Sequence, residues 1–287
     1  MTPLSLEAPA KLNLSLRVVG RREDGYHELD SILVLLDLAD RLLLMPGCSG
    51  LRVTDADGAP VPDVPVRPDE NLAWRGLADG LGGDPDAALA CLTLEKRIPA
   101  AAGLGGGSSD AAAAWRLGRR WAGRPDRPTE VEVAALARIG ADVPFFASGA
   151  AAARVTGIGE RVAALAAAAG QLVLLVHPPF GLSTAAVFDA SRARDWSGSA
   201  PGSVAEALAE GTNDLLPAAR RVRPELDDLM ALMLAAGAVP RLTGSGATLY
   251  AVLDDPERAP GIIARLARAG LRATTGATRP AAASIGT

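Results

Sequence analysis

A glycine-rich segment at residues 98–114, IPAAAGLGGGSSDAAAA, places four glycines within five positions directly before an alanine-rich helical pattern. Glycine allows positive φ and lets a ligand approach the backbone closely, because it has no Cβ. The first turn of the following helix presents unpaired N–H groups and the positive end of the helix dipole. These features favour the binding of a polyphosphate. A flexible surface loop before a helix is the alternative interpretation.

The segment fits neither of two common nucleotide-binding motifs. A P-loop has a lysine after its last glycine, whereas Ser108 follows Gly107 here. A Rossmann turn is followed about 20 positions later by an acidic residue at the end of a second strand, and this pattern is missing from the sequence. The sequence therefore predicts a nucleotide-binding enzyme of another class.

Composition argues against a polyanionic or membrane partner. The formal net charge is −4, so no general basic surface would attract nucleic acid or an anionic membrane. The first residues lack the pattern of a signal peptide, and the apolar stretch at 162–176 is too short to span a bilayer. Cys48 and Cys91 are isolated in sequence, which is typical of unpaired cysteines in a reducing compartment. We therefore expect a cytoplasmic protein.

The hydrophobic pattern predicts an α/β chain of two domains. In the first part, apolar alternation predicts a bent strand or a strand pair at 4–19 and strands at 28–38, 41–45, 51–54, 89–95 and 150–156. Helices are predicted at 70–82, 109–121 and 130–138. In the second part, strands are expected at 171–177 and 271–274, a strand–turn–strand at 239–253, and helices at 203–210, 214–221, 224–236 and 256–269. The pattern changes near 156–170, so we expect domains at residues 1–160 and 161–287.

Two charged residues with apolar neighbours are candidates for chemistry. Lys11 lies in a strand pattern, and Asn13, two positions further, would share its face of the strand. Asp142 lies in the sequence GADVPFF. As a pair, the lysine would keep the carboxylate ionised and help to polarise an acceptor hydroxyl. The structural alternatives are a solvent-facing lysine on an edge strand and an aspartate that caps a helix.

Two short turns carry further candidates. The sequence TGSGA at 243–247 lies between two strand patterns and could be a hairpin turn or a backbone nest that faces a substrate. Tyr26 and His27 follow an Asp-Gly turn, and the chain has only two tyrosines and two histidines, so their adjacency points weakly to a site. Zinc-type spacing of ligands and a Gly-x-Ser-x-Gly motif are both missing from the sequence.

Taken together, these motifs resemble the GHMP kinases, the superfamily of galactokinase, homoserine kinase and mevalonate kinase. Residues 99–109 match its motif P-x-x-x-G-L-G-[GS]-[GS]-S-[AS]. The more selective run at 9–29, PAKLNLSLRVVGRREDGYHEL, resembles the opening of the 4-diphosphocytidyl-2-C-methyl-D-erythritol kinases. GADVP at 140–144, NDL at 213–215 and LTGSGA at 242–247 follow in the expected order. One departure is Ala101-Ala102, where this family often has glycines.

The resemblance implies a fold and a reaction. The expected fold is α/β (α+β), with an N-terminal domain like domain 2 of ribosomal protein S5 and a ferredoxin-like C-terminal domain. The active site would lie in the cleft between them. The implied reaction uses ATP and Mg²⁺ to phosphorylate the 2-hydroxyl of 4-diphosphocytidyl-2-C-methyl-D-erythritol, in the non-mevalonate route to isoprenoid precursors. The implied partner is a small molecule with a cytidine diphosphate group, and the protein would be a monomer or homodimer.

The resemblance also assigns roles to residues. Asp142 would orient or deprotonate the acceptor hydroxyl, with Lys11 as its cationic partner. Asn13 would contact substrate, and the cytosine would be held by Tyr26, His27 and a stacked Phe188, although plain core packing of Phe188 stays possible. The transferred phosphate or the substrate diphosphate would be approached by Thr243, Gly244, Ser245 and Gly246. The ATP phosphates would be wrapped, with Ser108 near Mg²⁺, by Pro99, Ala100, Ala101, Ala102, Gly103, Leu104, Gly105, Gly106, Gly107, Ser108 and Ser109.

Two other classes of function compete with a kinase. A non-catalytic sugar- or nucleotide-binding regulator could share the fold, but it would have no need of both Lys11 and Asp142. A dinucleotide-dependent oxidoreductase has only the glycines in its favour.

Overall fold

Two long antiparallel strands form the centre of the N-terminal half. The computed structural model describes residues 2–61, 64–65, 67 and 69–280. Strands β1 (Leu4–Arg21) and β2 (His27–Pro46) pair along nearly their whole length. β2 is continuous where the sequence pattern predicts two separate strands. The strand continues through its polar position because Asp40, although fully buried, finds a cationic partner in Lys96.

The remaining elements of this half extend and cover the same sheet. They are β3 (Leu51–Asp55), α1 (Leu72–Leu81), β4 (Ala90–Lys96), α2 (Gly106–Trp121), α3 (Glu130–Ala135), α4 (Val143–Ser148), β5 (Ala152–Gly157) and β6 (Arg161–Ala164). The sheet order is β3-β4-β2-β5-β6, with β1 also paired to β2. α4 and β6 are missing from the sequence prediction, because elements of six and four residues are too short to display a full hydrophobic period.

The C-terminal half contains a second sheet, which is wholly antiparallel. Its elements are β7 (Leu172–His177), α5 (Thr184–Ala190), α6 (Val204–Glu210), α7 (Leu216–Val222), α8 (Leu226–Ala235), β8 (Arg241–Leu242), β9 (Leu249–Leu253), α9 (Ala259–Arg268) and β10 (Arg272–Ala277). The strand order is β10-β7-β9-β8. The predicted domain boundary at 160/161 lies immediately before β6, which pairs with β5 in the first sheet.

A shared apolar layer joins the two halves. Leu12 and Leu14 of β1 are fully buried in one cluster with Leu175 of β7 and Tyr250 of β9. Because side chains alternate along a strand, Lys11 and Asn13, which flank Leu12, project to the opposite face of β1. That opposite face carries the polar candidates of the sequence analysis.

The two cysteines form a disulfide, so the prediction that they are unpaired is wrong. β2 pairs with β4 so that Cys91 lies opposite Met45, and Cys48 lies in the turn just beyond Met45. This pairing brings the two Cα atoms to 5.3 Å. The spacing of the cysteines in sequence carries no sign of the contact, since sheet register alone creates it. Among the described residues, no helix has the length and apolarity needed to cross a membrane.

Candidate active site

Lys11 and Asn13 form a buried polar pair on the face of β1 that points away from the shared apolar layer. Their side chains share one face of the strand, and Lys11 Nζ donates to Asn13 Oδ1 over 2.6 Å. Asn13 Nδ2 donates to Ser31 Oγ over 2.8 Å. Lys11 is only 3% exposed, so the alternative of a solvent-facing edge lysine is wrong. The ammonium is held in place by its neighbours before any ligand binds.

Asp142 stands at the start of α4 and turns its carboxylate towards that lysine. The distance from Asp142 Oδ2 to Lys11 Nζ is 3.6 Å. Its side chain makes no capping hydrogen bond to the helix backbone, which argues against the N-cap alternative. The carboxylate is 36% exposed, whereas the lysine side chain is 4% exposed. The pair therefore presents its acidic member to the solvent-filled cleft.

The glycine-rich loop lies directly against this pair. Leu104 O accepts a hydrogen bond from Lys11 N over 2.9 Å. Gly103 has a φ of +73°, and a Cβ at this position would lie 2.8 Å from the carbonyl oxygens of both Thr243 and Gly246. A Cβ on Gly105 would lie 3.0 Å from Lys11 Cγ. The absence of side chains thus allows the loop to touch β1 and the 243–246 turn together.

The loop separates two cavities. A cavity of about 500 Å³ is lined by the loop and by Asn71, Lys96 and Asp110. A larger cavity of about 710 Å³ contains Lys11 and Asp142. The larger cavity is also lined by Asn13, Tyr26, His27, Phe188, Gly244 and Ser245. The two cavities share Gly103, Gly105, Ser108 and Thr184, so they meet at the loop.

Three aromatic residues gather at the far end of the larger cavity. The ring centroids of His27 and Phe188 are 5.2 Å apart. Tyr26 is 62% exposed. Phe188 packs against the core of the C-terminal half and also lines the cavity. Burial lowers the pKa of His27, Arg21 lowers it further, and Asp189 opposes the shift.

The turn at 243–246 connects β8 and β9, as the hairpin interpretation predicts, and half of it faces the cavity. A Cβ on Gly244 would lie 3.3 Å from Lys11 Nζ, and Ser245 Oγ lies 2.9 Å from Thr184 Oγ1. Thr243 is fully buried, and its Oγ1 accepts a hydrogen bond from Asn13 N over 3.1 Å. Thr243 and Gly246 do not line the cavity, so their contribution is to support the turn.

Ser109 also lies apart from the position that the sequence analysis expects. Its side chain is 1% exposed and lines a separate small cavity beside Leu35 and Phe146. Ser109 N donates to Gly105 O over 2.9 Å, as part of the helix. Ser108, in contrast, lies at the junction of the two larger cavities.

A buried charge cluster beneath the loop is missing from the sequence analysis. Lys96 Nζ lies 2.7 Å from Asp110 Oδ2 and also contacts Asp40 Oδ2. Asp40 Oδ1 accepts hydrogen bonds from Arg97 N and, over 2.8 Å, from Ile98 N, where the chain enters the loop. Burial raises the pKa of Asp110 to about 8, with Lys96 opposing the shift and Asp40 adding to it. No sequence signal marks this cluster, because Asp40 lies between two predicted strands and Lys96 lies just after another.

Comparisons with known proteins identify the family of the chain. The chain matches the family models described as GHMP kinases N terminal domain, at residues 71–150, and GHMP kinases C terminal, at residues 198–272. A 4-diphosphocytidyl-2-C-methyl-D-erythritol kinase from Paramagnetospirillum magneticum is 38% identical over 94% of this chain and 95% of its own. The kinase of the same name from Thermus thermophilus is 39% identical over 88% of each chain.

Solved structures agree as well. A crystal structure of 4-(cytidine 5'-diphospho)-2C-methyl-D-erythritol kinase superposes with a TM-score of 0.76 at 37% identity, over 96% of this chain and 99% of that one. A homoserine kinase from Cytophaga hutchinsonii shares the fold, with a TM-score of 0.63 at 16% identity over 99% of this chain and 98% of its own. The predicted two-domain α/β GHMP fold and the predicted family are both confirmed. The chain therefore belongs to the 4-diphosphocytidyl-2-C-methyl-D-erythritol kinase family of the GHMP kinases.

Proposed function

We propose that the protein transfers the γ-phosphoryl group of ATP to the 2-hydroxyl of 4-diphosphocytidyl-2-C-methyl-D-erythritol, a step of the non-mevalonate route to isoprenoid precursors. One observation carries the proposal beyond family membership. The Lys11–Asp142 pair, with 3.6 Å between Nζ and Oδ2, lines the larger cavity beside the glycine loop that the cavities share. A phosphoryl donor in one cavity and an acceptor in the other would meet at this pair.

The smaller cavity suits the triphosphate of the nucleotide. It is lined by residues 99–108 of the loop, and α2 begins at Gly106. The first N–H groups of a helix have no partner within it and carry the positive end of its dipole, so they attract phosphate oxygens. The loop and the first turn of α2 would therefore hold ATP with its terminal phosphate directed towards Lys11.

The residues at the junction suit Mg²⁺ that arrives with the nucleotide. Mg²⁺ prefers oxygen ligands and is bound in kinases by one or two protein oxygens together with substrate phosphates and water. Ser108 at the junction and Asp142 in the larger cavity offer such oxygens. Within the described part of the chain, no group of three or more His, Cys, Asp or Glu forms a dedicated metal site. Ser108 would help to hold the ion, which would neutralise charge on the transferred phosphoryl group.

Phosphoryl transfer needs positioning and charge more than covalent help from the protein. Asp142 would accept a hydrogen bond from the 2-hydroxyl and take its proton as the oxygen attacks the γ-phosphorus. The new O–P bond forms while the bond to the bridging oxygen of ADP breaks, so ADP leaves with that electron pair. Lys11, as a fixed cation beside the carboxylate, would stabilise charge on the phosphoryl oxygens.

The aromatic end of the larger cavity suits a pyrimidine base. A flat ring can stack on Phe188 or Tyr26, whose side chains offer apolar faces at the cavity wall. The lowered pKa of His27 favours a neutral imidazole, which carries one hydrogen-bond donor and one acceptor for the edge of the base. Asn13, Gly244 and Ser245 would then lie along the diphosphate and erythritol parts.

A comparison of acceptors tests the proposal. Purified protein with ATP and Mg²⁺ is given 4-diphosphocytidyl-2-C-methyl-D-erythritol, homoserine or mevalonate in separate reactions, and ADP release is followed. We expect turnover with the cytidine compound alone, and the product should carry the new phosphate on the 2-hydroxyl by ³¹P NMR. Turnover with homoserine or mevalonate, and none with the cytidine compound, would move the activity to another GHMP kinase.

A further inference from the structure

His27 is held from the C-terminal half of the chain. It is the first residue of β2, directly after the exposed Tyr26, and its ring contacts two aromatic side chains of the C-terminal half. Phe188 of α5 lies on one side at 5.2 Å with an interplanar angle of 33°. Trp196 meets the imidazole edge-on, with 5.8 Å between centroids and an angle of 87°. Such T-shaped contacts are a preferred geometry for aromatic pairs.

Trp196 supports the ring without forming part of the cavity wall. It is not among the residues that line the larger cavity, whereas His27 and Phe188 are. Its indole Nε1 donates to Ser191 Oγ over 3.0 Å. The indole is therefore tethered at its polar end while its ring makes the T-shaped contact with the imidazole.

A buried carboxylate fixes the backbone next to Trp196. Asp214 is 3% exposed, and its Oδ2 accepts hydrogen bonds from Ser197 N and from Val18 N of β1, each over 2.9 Å. Its Oδ1 contacts Ser197 Oγ, which also accepts from Arg17 Nη1. One side chain thus ties the Trp196 loop to β1, the strand that pairs with the strand of His27.

This linkage gives a role to the NDL motif at 213–215, to which the proposed reaction assigns none. Asn213 Nδ2 donates to Leu242 O and Gly244 O, each over 2.9 Å, and so supports the turn beside Lys11. Asp214 supports the opposite, aromatic end of the cleft through Ser197. The two adjacent side chains therefore hold different ends of the cleft.

We propose that Trp196 and Asp214 are positioning residues for His27: Asp214 fixes Ser197, Ser197 places the indole of Trp196, and the indole sets the orientation of the imidazole towards the base of the substrate. The identity of that base rests on the proposed function. The orientation of the ring does not, and it can be measured without any substrate.

The ring itself gives the first test. The chain has two histidines, His27 and His177, so the imidazole ¹H–¹³C spectrum of the whole protein contains two sets of signals. We expect Trp196→Leu to shift and broaden the His27 signals and to leave those of His177 unchanged. Asp214→Asn should shift the His27 signals in the same direction by a smaller amount. Unchanged His27 signals in Trp196→Leu would overturn the proposal, whatever reaction the protein catalyses.

Kinetics give the second test. Loss of an aromatic contact worth about 0.5–1.5 kcal/mol corresponds to about a 2- to 13-fold effect. We expect Trp196→Leu to raise the KM for the cytidine substrate by about tenfold, with kcat and the KM for ATP within about twofold of the parent. Trp196→Phe, which keeps a ring, should recover most of that loss. A parallel rise in the KM for ATP would mean general loosening and would overturn the proposal.

A matched control tests whether the effect of Asp214→Asn comes from the contacts of Asp214 or from the loss of a negative charge near Arg17. Arg17 pairs with both Asp214, at 3.9 Å, and Glu210, at 2.7 Å. Glu210 is 46% exposed and makes no hydrogen bond to Ser197 among the described residues. Glu210→Gln should leave the His27 signals and the KM for the cytidine substrate unchanged. If Glu210→Gln changed the His27 signals and the KM as Asp214→Asn does, the cause would be the loss of charge near Arg17 and not the position of Trp196. That result would refute the proposed role of Asp214.

Discussion

Lys11 Nζ lies 3.6 Å from Asp142 Oδ2, and the two side chains differ sharply in their access to solvent. The lysine is buried and hydrogen bonded to Asn13, so its charge is fixed in position by the fold. The carboxylate faces the cleft and makes no capping hydrogen bond to its helix, so it can bind a ligand. This asymmetry places the cation as a fixed counter-charge and the carboxylate as the group that acts on the acceptor.

Asp142→Asn should separate chemistry from binding. The amide has nearly the same shape but cannot take a proton, and general base catalysis contributes about 10²- to 10⁴-fold. We therefore expect kcat to fall by that factor while the Kd for ATP, measured by calorimetry, changes less than about threefold. Asp227→Asn, which breaks a half-exposed pair with Arg220, is the control and should retain full activity. Equal losses in ATP binding and rate would mean that Asp142 is structural.

The sequence predicts the local parts of this site and none of its long-range contacts. Alternation in β1 predicts that Lys11 and Asn13 share a face, and the glycine spacing predicts a loop that backbone groups can approach closely. Nothing local to Asp142 indicates Lys11 as its partner, so from the residues alone their pairing is only a hypothesis beside two structural alternatives. Lys96, Asp110 and Asp214 were missed because a buried charge is recognisable only once its partner is known, and sheet register supplies that partner.

Removing the charge of Lys96 should lower the free energy of unfolding far more than removing the charge of Asp110. Lys96→Met would leave Asp40 and Asp110 buried without their cation, which we expect to cost about 3–5 kcal/mol of unfolding free energy. Because the folded-state pKa of Asp110 is about 8, the folded protein binds a proton between pH 4 and 8 that the unfolded chain has lost, so stability falls as pH rises from about 4 to 8 and levels off above 8. Asp110→Asn should remove that fall and cost far less at pH 7. Urea unfolding of the parent and both variants from pH 6 to 9 measures the cost of each substitution and its pH dependence. Similar losses of unfolding free energy in the two variants would contradict this account.

The disulfide should contribute to stability more than to catalysis. Cys48 and Cys91 are separated by 43 positions, and closing a loop of this length is worth about 4 kcal/mol in the chain-entropy model. Neither cysteine lines either of the two larger cavities. We expect the Cys48→Ser, Cys91→Ser double variant to unfold at lower urea concentration with unchanged KM values. A dithiothreitol titration of the parent should produce the same shift and none in the variant. A loss of kcat without loss of stability would be the contrary result.

His177 should make folding stability fall in weak acid. It lies on β7 opposite Arg272 of β10, and its Nδ1 has no hydrogen-bond partner among the described residues. Burial, and to a smaller extent the charge of Arg272, lowers the pKa of His177 to about 4. Between pH 6.5 and 4, His177 is therefore protonated in the unfolded chain but not in the folded protein. Stability from this residue is therefore complete above pH 6.5 and is lost as pH falls towards 4, by up to about 3 kcal/mol.

His177→Gln isolates this contribution from that of Asp110, which runs in the opposite direction over the same pH range. Glutamine can still reach Thr274 Oγ1, the partner of His177 Nε2 at 3.2 Å, but it does not titrate. We expect the free energy of unfolding of the parent, minus that of the variant, to decrease as pH falls from 7 to 4. His27 stays in both proteins, so its own lowered pKa cancels in the difference. A difference that is independent of pH would show that His177 takes up its proton as easily in the folded protein as in the unfolded chain.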